Sequence, residues 1–219
     1  EISACLVGSE MCIRDRFFTN RGKLYKLKGY EVPEAGRTAK GTAIVNLLSL
    51  DPGEKVSAVI PIQNFAEGKY LLMATKNGLI KKTALKEYDS TRKTGLQGIT
   101  LKEDDELITV RLTDGEDNVL LVTRNGMCIT FDEKDVRPIG RVSQGVIGIR
   151  LDEEDEVIGM ESVIAGDKAT LLAITENGFG KRTELDEYRV QIRGGKGVIT
   201  YKITPVSYTH LRAHETGRN

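Results

Sequence analysis

Short apolar runs recur along the chain, and each is followed by a polar turn that ends in glycine. The four segments that show this order are residues 17–22, 72–78, 120–126 and 171–178. Asparagine followed by glycine supplies the positive φ values that a two-residue type I′ turn requires. The pattern therefore predicts β-hairpins whose tips lie at Asn77-Gly78, Asn125-Gly126 and Asn177-Gly178.

The hairpin segments belong to an internal repeat. The turn glycines are 56, 48 and 52 residues apart, and a second glycine follows each of them after 19 or 20 residues. A β-branched strand is expected after this second glycine, and an acidic turn with one more strand follows in two of the repeats. The second glycines are Gly41, Gly98, Gly145 and Gly197.

A repeat of about fifty residues with about four short strands is the size of one propeller blade. A single blade cannot bury both faces of its sheet, so neighbouring repeats must pack against each other. The sequence contains no tryptophan, which argues against WD repeats, and its repeats lack the combination of paired glycines and aromatic residues of kelch repeats. We therefore expect an all-β, propeller-like fold built from four-stranded antiparallel blades.

The two ends of the chain do not continue the repeat. Residues 1–16 and 205–219 resemble translated adapter sequence, so we expect non-native tails that pack poorly around a body at 17–204. His210 and His214 would share one face of a helix, but no third ligand is evident. No metal site is therefore expected.

The body of the chain offers little catalytic chemistry. It holds no histidine and one cysteine, which removes an imidazole base and the usual zinc ligand set. Pairs of carboxylates recur at equivalent repeat positions and indicate turns, so we expect no catalytic residue. An odd number of cysteines favours a reducing compartment, and no apolar run is long enough to span a membrane.

Charge is segregated within each repeat, although 32 basic and 32 acidic residues cancel over the chain. The stretches from each turn to the second glycine hold 21 basic and 11 acidic residues, a net charge of +10. The rest of the body holds 7 basic and 17 acidic residues, a net charge of −10. Blades stacked in register would line their basic stretches along one rim, which is expected of a surface that follows a duplex backbone.

The fourth repeat carries a glycine-rich basic segment, Gln191 to Gly197, with the sequence Gln-Ile-Arg-Gly-Gly-Lys-Gly. Paired glycines allow close approach to phosphates, and arginine and lysine add fixed positive charge. In its repeat context the segment resembles the Gln-Arg-Arg-Gly-Gly-Lys-Gly box of the DNA gyrase A C-terminal domain. It differs by having Ile192 where that family has arginine, and by lying in the fourth visible repeat.

The resemblance extends over residues 17–204 and implies a β-pinwheel of six blades, of which three to four are present here as an open arc with an unpaired edge. It also implies non-sequence-specific wrapping of double-stranded DNA around a basic perimeter, in support of ATP-dependent negative supercoiling. The implied partners are the N-terminal core of gyrase A and the gyrase B protein in an A2B2 enzyme. ATP and Mg²⁺ would belong to other domains of that enzyme, and the implied location is the bacterial cytoplasm, at the nucleoid.

Two other interpretations stay open at this point. The equivalent domain of topoisomerase IV is a close relative, and a propeller-like interaction scaffold could use the acidic turns at residues 104–106 and 152–156. For the DNA-binding hypothesis, the candidate phosphate contacts are Arg21, Lys23, Lys26, Lys28, Arg37, Lys40, Lys81, Lys82, Arg92, Lys93, Arg137, Arg141, Lys181, Arg182, Arg189, Gln191, Arg193, Gly194, Gly195, Lys196 and Gly197.

Overall fold

The computed structural model describes residues 14–62, 65–89, 95–164, 166, 168–203 and 211–214. Within these ranges the chain forms β-strands and short 3-10 helices and contains no α-helix, which confirms the all-β prediction. The strands are β1 (Arg14–Thr19), β2 (Lys23–Lys28), β3 (Val56–Pro61), β4 (Tyr70–Thr75), β5 (Leu79–Ala84), β6 (Leu96–Gln97), β7 (Leu107–Thr113), β8 (Asn118–Thr123), β9 (Met127–Asp132), β10 (Val146–Ile147), β11 (Val157–Val163), β12 (Thr170–Thr175), β13 (Gly180–Glu184), β14 (Val198–Ile199) and β15 (Leu211–His214).

The strands form four antiparallel sheets, one for each repeat. Their strand orders are β3-β1-β2-β6, β10-β5-β4-β7, β11-β8-β9-β14 and β13-β12-β15. Among the described residues no strand pairing joins the first sheet to the fourth. This agrees with the open arc of blades that the resemblance implies.

The fourth strand of each four-stranded sheet comes from the following repeat. The two-residue strand β6 pairs with β2, β10 pairs with β5, and β14 pairs with β9. We refer to β6, β10 and β14 as the donated strands. The predicted number of strands in a blade is confirmed for these three sheets, but one strand in each of them lies about 65 to 75 residues in sequence from the strand it pairs with.

The hairpin turns lie where the sequence predicts them, although their type differs. In the second repeat Gly78 donates its N–H to the carbonyl of Thr75 over 3.0 Å, and the loop has three residues, 76–78. Only the glycine has positive φ, at 81°. This is a type I turn followed by a left-handed glycine, so the two-residue type I′ prediction is wrong.

The donated strands are anchored to these turns. Gly98 donates its N–H to the Gly22 carbonyl over 2.7 Å, and Gly148 makes the same bond to Gly78 over 2.8 Å. Gly98 is therefore the structural equivalent of Gly148. The sequence spacing had matched Gly98 with Gly145, which is wrong because Gly145 precedes its donated strand.

Apolar clusters fill the spaces between consecutive sheets. The first and second sheets share a cluster that includes Phe18 and Leu71, and the second and third share one that includes Ile80 and Leu121. A third cluster, around Leu120 with Leu171 and Tyr188, joins the third and fourth sheets. Because the second and third sheets present apolar residues to both neighbours, their middle strands β4 and β8 are buried on both faces.

The expectation that residues 1–16 and 205–219 pack poorly is wrong at two places. Strand β1 begins at Arg14, and Arg16 is 1% exposed with its guanidinium 5.2 Å from the centre of the Phe65 ring. Strand β15 pairs with β12 and extends the fourth sheet. The other residues of both segments lie outside the described residues, and whether the tails are native is untested.

Candidate nucleic-acid interface

Each repeat has a loop that begins directly after a 3-10 helix and ends at a glycine: Gly41, Gly95, Gly145 or Gly197. These loops span residues 32–41, 89–95, 136–145 and 188–197, and we call them the rim loops. Residues 90–94 of the second rim loop lie outside the described residues, and so do the candidates Arg92 and Lys93.

The third and fourth rim loops lie side by side. Arg193 donates a guanidinium hydrogen bond to the carbonyl of Ile147, a residue of the donated strand β10. Arg141 makes the equivalent bond to the carbonyl of Gln97 in β6. Since β10 follows directly from the rim loop that contains Arg141, successive rim loops are joined along one side of the array.

The glycine-rich segment uses its backbone within the protein. Gly194 donates its N–H to the carbonyl of Gly148 over 2.8 Å, and the carbonyl of Gly195 accepts from the N–H of Arg150 over 2.9 Å. A Cβ at Gly197 would lie 2.3 Å from the carbonyl oxygen of Cys128. These glycines thus permit close approach to neighbouring strands, and contact of their backbone with phosphates stays a prediction.

Most of the described candidate cations lie at the surface. An arginine held by one backbone carbonyl keeps further N–H donors for a phosphate. Lys23, Lys26, Arg141, Gln191 and Arg193 are half-buried. The exposed candidates are Arg21, Lys28, Arg37, Lys40, Arg137, Lys181, Arg182, Arg189 and Lys196.

Some of these cations pair with nearby carboxylates. Lys196 lies 2.6 Å from an oxygen of Asp152, and Lys23 lies 2.5 Å from an oxygen of Asp51. The hydrogen bond from Lys23 lowers the pKa of Asp51. Exposed ion pairs contribute little to stability, so a phosphate oxygen can replace the carboxylate at small cost.

Lys81 does not meet phosphates in this arrangement, which corrects the sequence-based expectation. Its side chain is 0% exposed, and its ammonium donates to the carbonyls of Gly98, at 2.8 Å, and Arg141. Burial lowers the pKa of Lys81 to about 8. The side chain joins the donated strand region of one repeat to the rim loop of the next.

Lys82 is also buried, at 4% exposure, so it too is wrong as a phosphate contact. Its ammonium donates to the carbonyl of Glu133 over 3.0 Å and lies 3.5 Å from that residue's carboxylate. Thr113 donates to the same carboxylate over 2.6 Å, and burial raises the pKa of Glu133. Both lysines are buried because β5 lies inside its sheet with neighbouring sheets on either face.

The carbonyl contacts of Arg141 and Arg193 were missed from the sequence. Both residues stand four positions before a second glycine, Gly145 and Gly197, and Arg37 stands four positions before Gly41. This constant offset of four residues is the sequence signal from which an equivalent role for these arginines could have been predicted. Gln191 likewise has a positioning contact, because its backbone N–H donates to the carbonyl of Thr130 over 2.7 Å.

The acidic turns are used within the fold. A carboxylate oxygen of Asp105 accepts the N–H of Asn77 over 2.9 Å, and Asp155 accepts the N–H of Asn125 over the same distance. Each acidic turn therefore fixes the tip of a hairpin. This confirms the interpretation of the recurring carboxylates as turn residues.

The described ranges contain no group of three or more His, Cys, Asp or Glu side chains that could hold a metal ion. In the same part of the chain, no helix has the length and apolar character needed to cross a membrane.

One protein-family model matches most of the chain. Its description is "DNA gyrase C-terminal domain, beta-propeller", and it matches residues 17–63, 69–114, 117–164 and 169–205. The four matched stretches correspond to the four repeats.

Curated relatives agree with this match. The chain is 55% identical over 188 residues to the DNA gyrase A protein of Clostridium acetobutylicum, covering 86% of this chain and 22% of that protein. It is 45% identical over 189 residues to the DNA gyrase A protein of Staphylococcus aureus, covering 86% and 21%. The chain thus spans about a fifth of the length of these relatives.

Solved structures show the same fold. The C-terminal domain of DNA topoisomerase IV superposes with a TM-score of 0.83 and 31% identity, covering 94% of this chain and 64% of that one. A DNA gyrase A C-terminal domain superposes with a TM-score of 0.77 and 24% identity, covering 94% and 67%.

Proposed function

Because this chain belongs to the DNA gyrase C-terminal domain family, we propose that it binds and wraps double-stranded DNA without sequence specificity. Phosphates contact the exposed cations of the rim loops and of the adjoining hairpins. The interaction is electrostatic and follows the duplex backbone.

The observation that carries the proposal is the continuity of the rim loops. The contact of Arg193 with Ile147 and that of Arg141 with Gln97 place basic loops of successive repeats next to each other. A row of cations at successive blades matches the row of phosphates along a duplex, and its direction follows the array of blades. A path that turns with the array bends the DNA, which is the basis of wrapping.

In this proposal the chain is part of a larger enzyme and has no catalytic residue of its own. The relatives that it matches are DNA gyrase A proteins. The domain presents wrapped DNA to the N-terminal core of gyrase A, together with gyrase B in an A2B2 assembly, and so supports ATP-dependent negative supercoiling in the bacterial cytoplasm. ATP and Mg²⁺ act on other domains.

Topoisomerase IV is the second candidate for the larger enzyme, because its C-terminal domain has the same fold. The identity of 55% to a gyrase A protein favours gyrase. The scaffold alternative has less support, since Asp105 and Asp155 use their carboxylates on hairpin turns.

The test has two parts. Binding to random-sequence duplex is measured against salt, and six to ten phosphate contacts give a slope of log affinity against log salt of roughly −5 to −9. Nicked plasmid is then ligated with the bound protein, because wrapping traps a change in linking number that survives removal of the protein.

Both parts are repeated with a variant in which four exposed cations of the rim loops are removed: Arg37→Ala, Lys40→Ala, Arg189→Ala and Lys196→Ala. This variant is expected to lose about four contacts, or roughly 4 units of slope, and most of the linking change. A flat salt dependence for the unmodified chain would overturn DNA binding. An unchanged linking number in spite of tight binding would overturn wrapping alone.

A further inference from the structure

The fourth rim loop presents two apolar side chains to solvent. Val190 is 55% exposed and Ile192 is 85% exposed. Gln191 between them is half-buried, and its buried side-chain nitrogen has no hydrogen-bond partner among the described residues. Such alternation is typical of extended backbone, in which residues two apart share a face. Val190 and Ile192 therefore point outwards together, and we call them the apolar pair.

Backbone hydrogen bonds hold the apolar pair in this position. Gln191 donates its N–H to the carbonyl of Thr130 over 2.7 Å. Gly194 donates its N–H to the carbonyl of Gly148 over 2.8 Å. These two bonds fix the chain on both sides of Ile192. The apolar side chains cannot turn inwards without breaking them, so the exposure of the pair is built into the loop.

The third rim loop shows that this exposure belongs to the loop position. Counted back from the second glycine, Pro138 and Gly140 are the equivalents of the apolar pair. Both are exposed although the fourth repeat lies beside their loop. A Cβ at Gly140 would meet only the side-chain oxygens of Glu87 and Ser143, each at 4.0 Å. The outer face is therefore open even in a repeat that has a neighbour on each side.

Cations surround the apolar pair. The fourth rim loop, residues 188–197, contains Arg189, Arg193 and Lys196 and no acidic residue. Arg189 and Lys196 are exposed, and Arg193 is half-buried. Three like charges around an apolar contact favour a polyanionic partner that presents apolar surface between its charges.

A DNA duplex has this character in its minor groove. Phosphates border the groove on both sides, and the C–H groups of the deoxyriboses line its walls. The minor groove of an RNA duplex displays 2′-hydroxyl groups instead. Apolar side chains that cover a hydroxyl remove its water without replacing the hydrogen bond, which is unfavourable. An apolar pair at this place therefore favours deoxyribose over ribose.

We propose that Val190 and Ile192 pack against deoxyriboses of the duplex, where its minor groove faces the fourth rim loop. Arg189 and Lys196 contact the phosphates that border the groove. The inference rests on the proposed DNA binding. It adds a contact that salt does not screen and that distinguishes DNA from RNA.

Salt titration of duplex binding by the 219-residue chain separates this contact from the ionic ones. Val190→Ala together with Ile192→Ala removes apolar surface and no charge, so the slope of log affinity against log salt should stay the same. The affinity should fall about tenfold at every salt concentration, which gives a parallel line.

The matched control is Val59→Ala together with Leu112→Ala. Both residues are exposed and apolar, and they lie in β3 and β7, at the opposite edge of their sheets from the donated strands. This control should bind DNA like the unmodified chain.

Gly140→Ile tests the contact by a gain of affinity. The φ of Gly140 lies outside the left-handed region and its Cβ position is open, so an isoleucine fits the third rim loop. The variant should bind the duplex about threefold more tightly, with an unchanged salt slope.

An RNA duplex of the same sequence tests the assignment to the sugar. The ratio of DNA affinity to RNA affinity should fall about threefold when Val190 and Ile192 are both alanine, because RNA binding loses less. An equal loss for the two duplexes would overturn the assignment to deoxyribose.

Unchanged DNA affinity of the Val190→Ala, Ile192→Ala chain would overturn the inference. So would a loss that appears as a flatter slope, or one that the Val59→Ala, Leu112→Ala control shares. If circular dichroism shows that the alanine chain does not fold, Gly140→Ile decides, and no gain of affinity would then overturn the inference. A flat salt slope of the unmodified chain would instead overturn the proposed DNA binding, so the two failures are distinguishable.

Discussion

The guanidinium of Arg193 donates a hydrogen bond to the backbone carbonyl of Ile147. Ile147 belongs to a strand that is itself inserted into the sheet of an earlier repeat. The bond therefore links the fourth repeat, through a strand of the third, to the blade of the second. Arg193 is a candidate phosphate contact because of its charge, and it also connects blades structurally.

Arg193 should accordingly contribute to both stability and DNA binding, and substitutions can separate the two. Arg193→Lys keeps the charge but cannot reach the carbonyls of both Ile147 and Asp135 with one planar group. We expect a free energy of unfolding about 1 kcal/mol lower in urea titration, with an unchanged salt slope for duplex binding. Arg193→Ala should show the same loss and a slope flatter by about 1.

Lys196→Ala is the matched control for this pair. Its ammonium contacts only the exposed carboxylate of Asp152 in the described structure, so the slope should change without a measurable change in unfolding. If Arg193→Lys flattened the slope as much as Arg193→Ala, the guanidinium geometry itself would matter for phosphates. The separation of roles would then be wrong.

Exposure should decide which lysines and arginines bind phosphate. The combined change Lys181→Ala and Arg182→Ala removes two exposed cations and should flatten the salt slope by about two, for all duplex sequences alike. The equivalent residues of the second repeat are buried, so Lys81→Met should leave the slope unchanged. Fluorescence anisotropy with two unrelated duplexes measures the salt slope of both variants. A flattened slope for Lys81→Met would contradict the conclusion that Lys81 does not contact phosphate.

The buried ammonium of Lys81 should make stability depend on pH. Its folded pKa, about 8, lies below the unfolded value of 10.5, so the unfolded chain binds more protons between these values. Stability should therefore rise as the pH increases through this window. The expected gain from pH 7.5 to pH 9.5 is about 2 kcal/mol in urea unfolding.

Lys81→Met isolates this contribution, because methionine has similar length and does not titrate. The free energy of unfolding of the unmodified chain, taken relative to that of the variant, should rise by the same amount over this pH range. A constant difference would show that the Lys81 ammonium is solvated in the folded state.

Asp105 should stabilise the fold without contributing to DNA binding. Its carboxylate accepts the backbone N–H groups of Asn77 and Glu106, so Asp105→Ala leaves them without this partner and should cost about 1 to 2 kcal/mol. Exposed Asp104 provides a contrast, and Asp104→Asn should leave duplex affinity unchanged or slightly higher. A loss of affinity in both variants, measured well below their melting temperatures, would argue against a basic rim.

The hairpins could be predicted from the sequence because their signal is local. A buried threonine, two polar residues and glycine recur, and the Thr75 carbonyl accepts the N–H of Gly78 within four residues. The turn type was missed because Asn77 in fact keeps a negative φ, and an Asn-Gly pair is compatible with both turn types. The donated strands could not be predicted, since the pairing of β10 with β5 crosses about 65 residues.

The candidate interface was predictable in its charge and less so in its contacts. Segregation of charge identified the rim loops, but adjacent Lys81 and Lys82 were expected outside because two neighbouring lysines rarely lie in a core. Both are buried because sheets cover both faces of β5, and the packing of whole blades is invisible to a local pattern. The role of Arg141 required knowing that β6 of the preceding repeat lies beside it.

The donated strands also set how the array melts. Removing the ordered structure of one repeat takes a strand out of the blade before it, so each blade loses ladder hydrogen bonds when its successor unfolds. Coupling of this kind raises the cooperativity between nearest neighbours in a linear array. A shortened fragment that ends at a repeat boundary would keep a blade without its last strand. Fragments that end just after a donated strand, such as β10 or β14, would keep the preceding sheets intact.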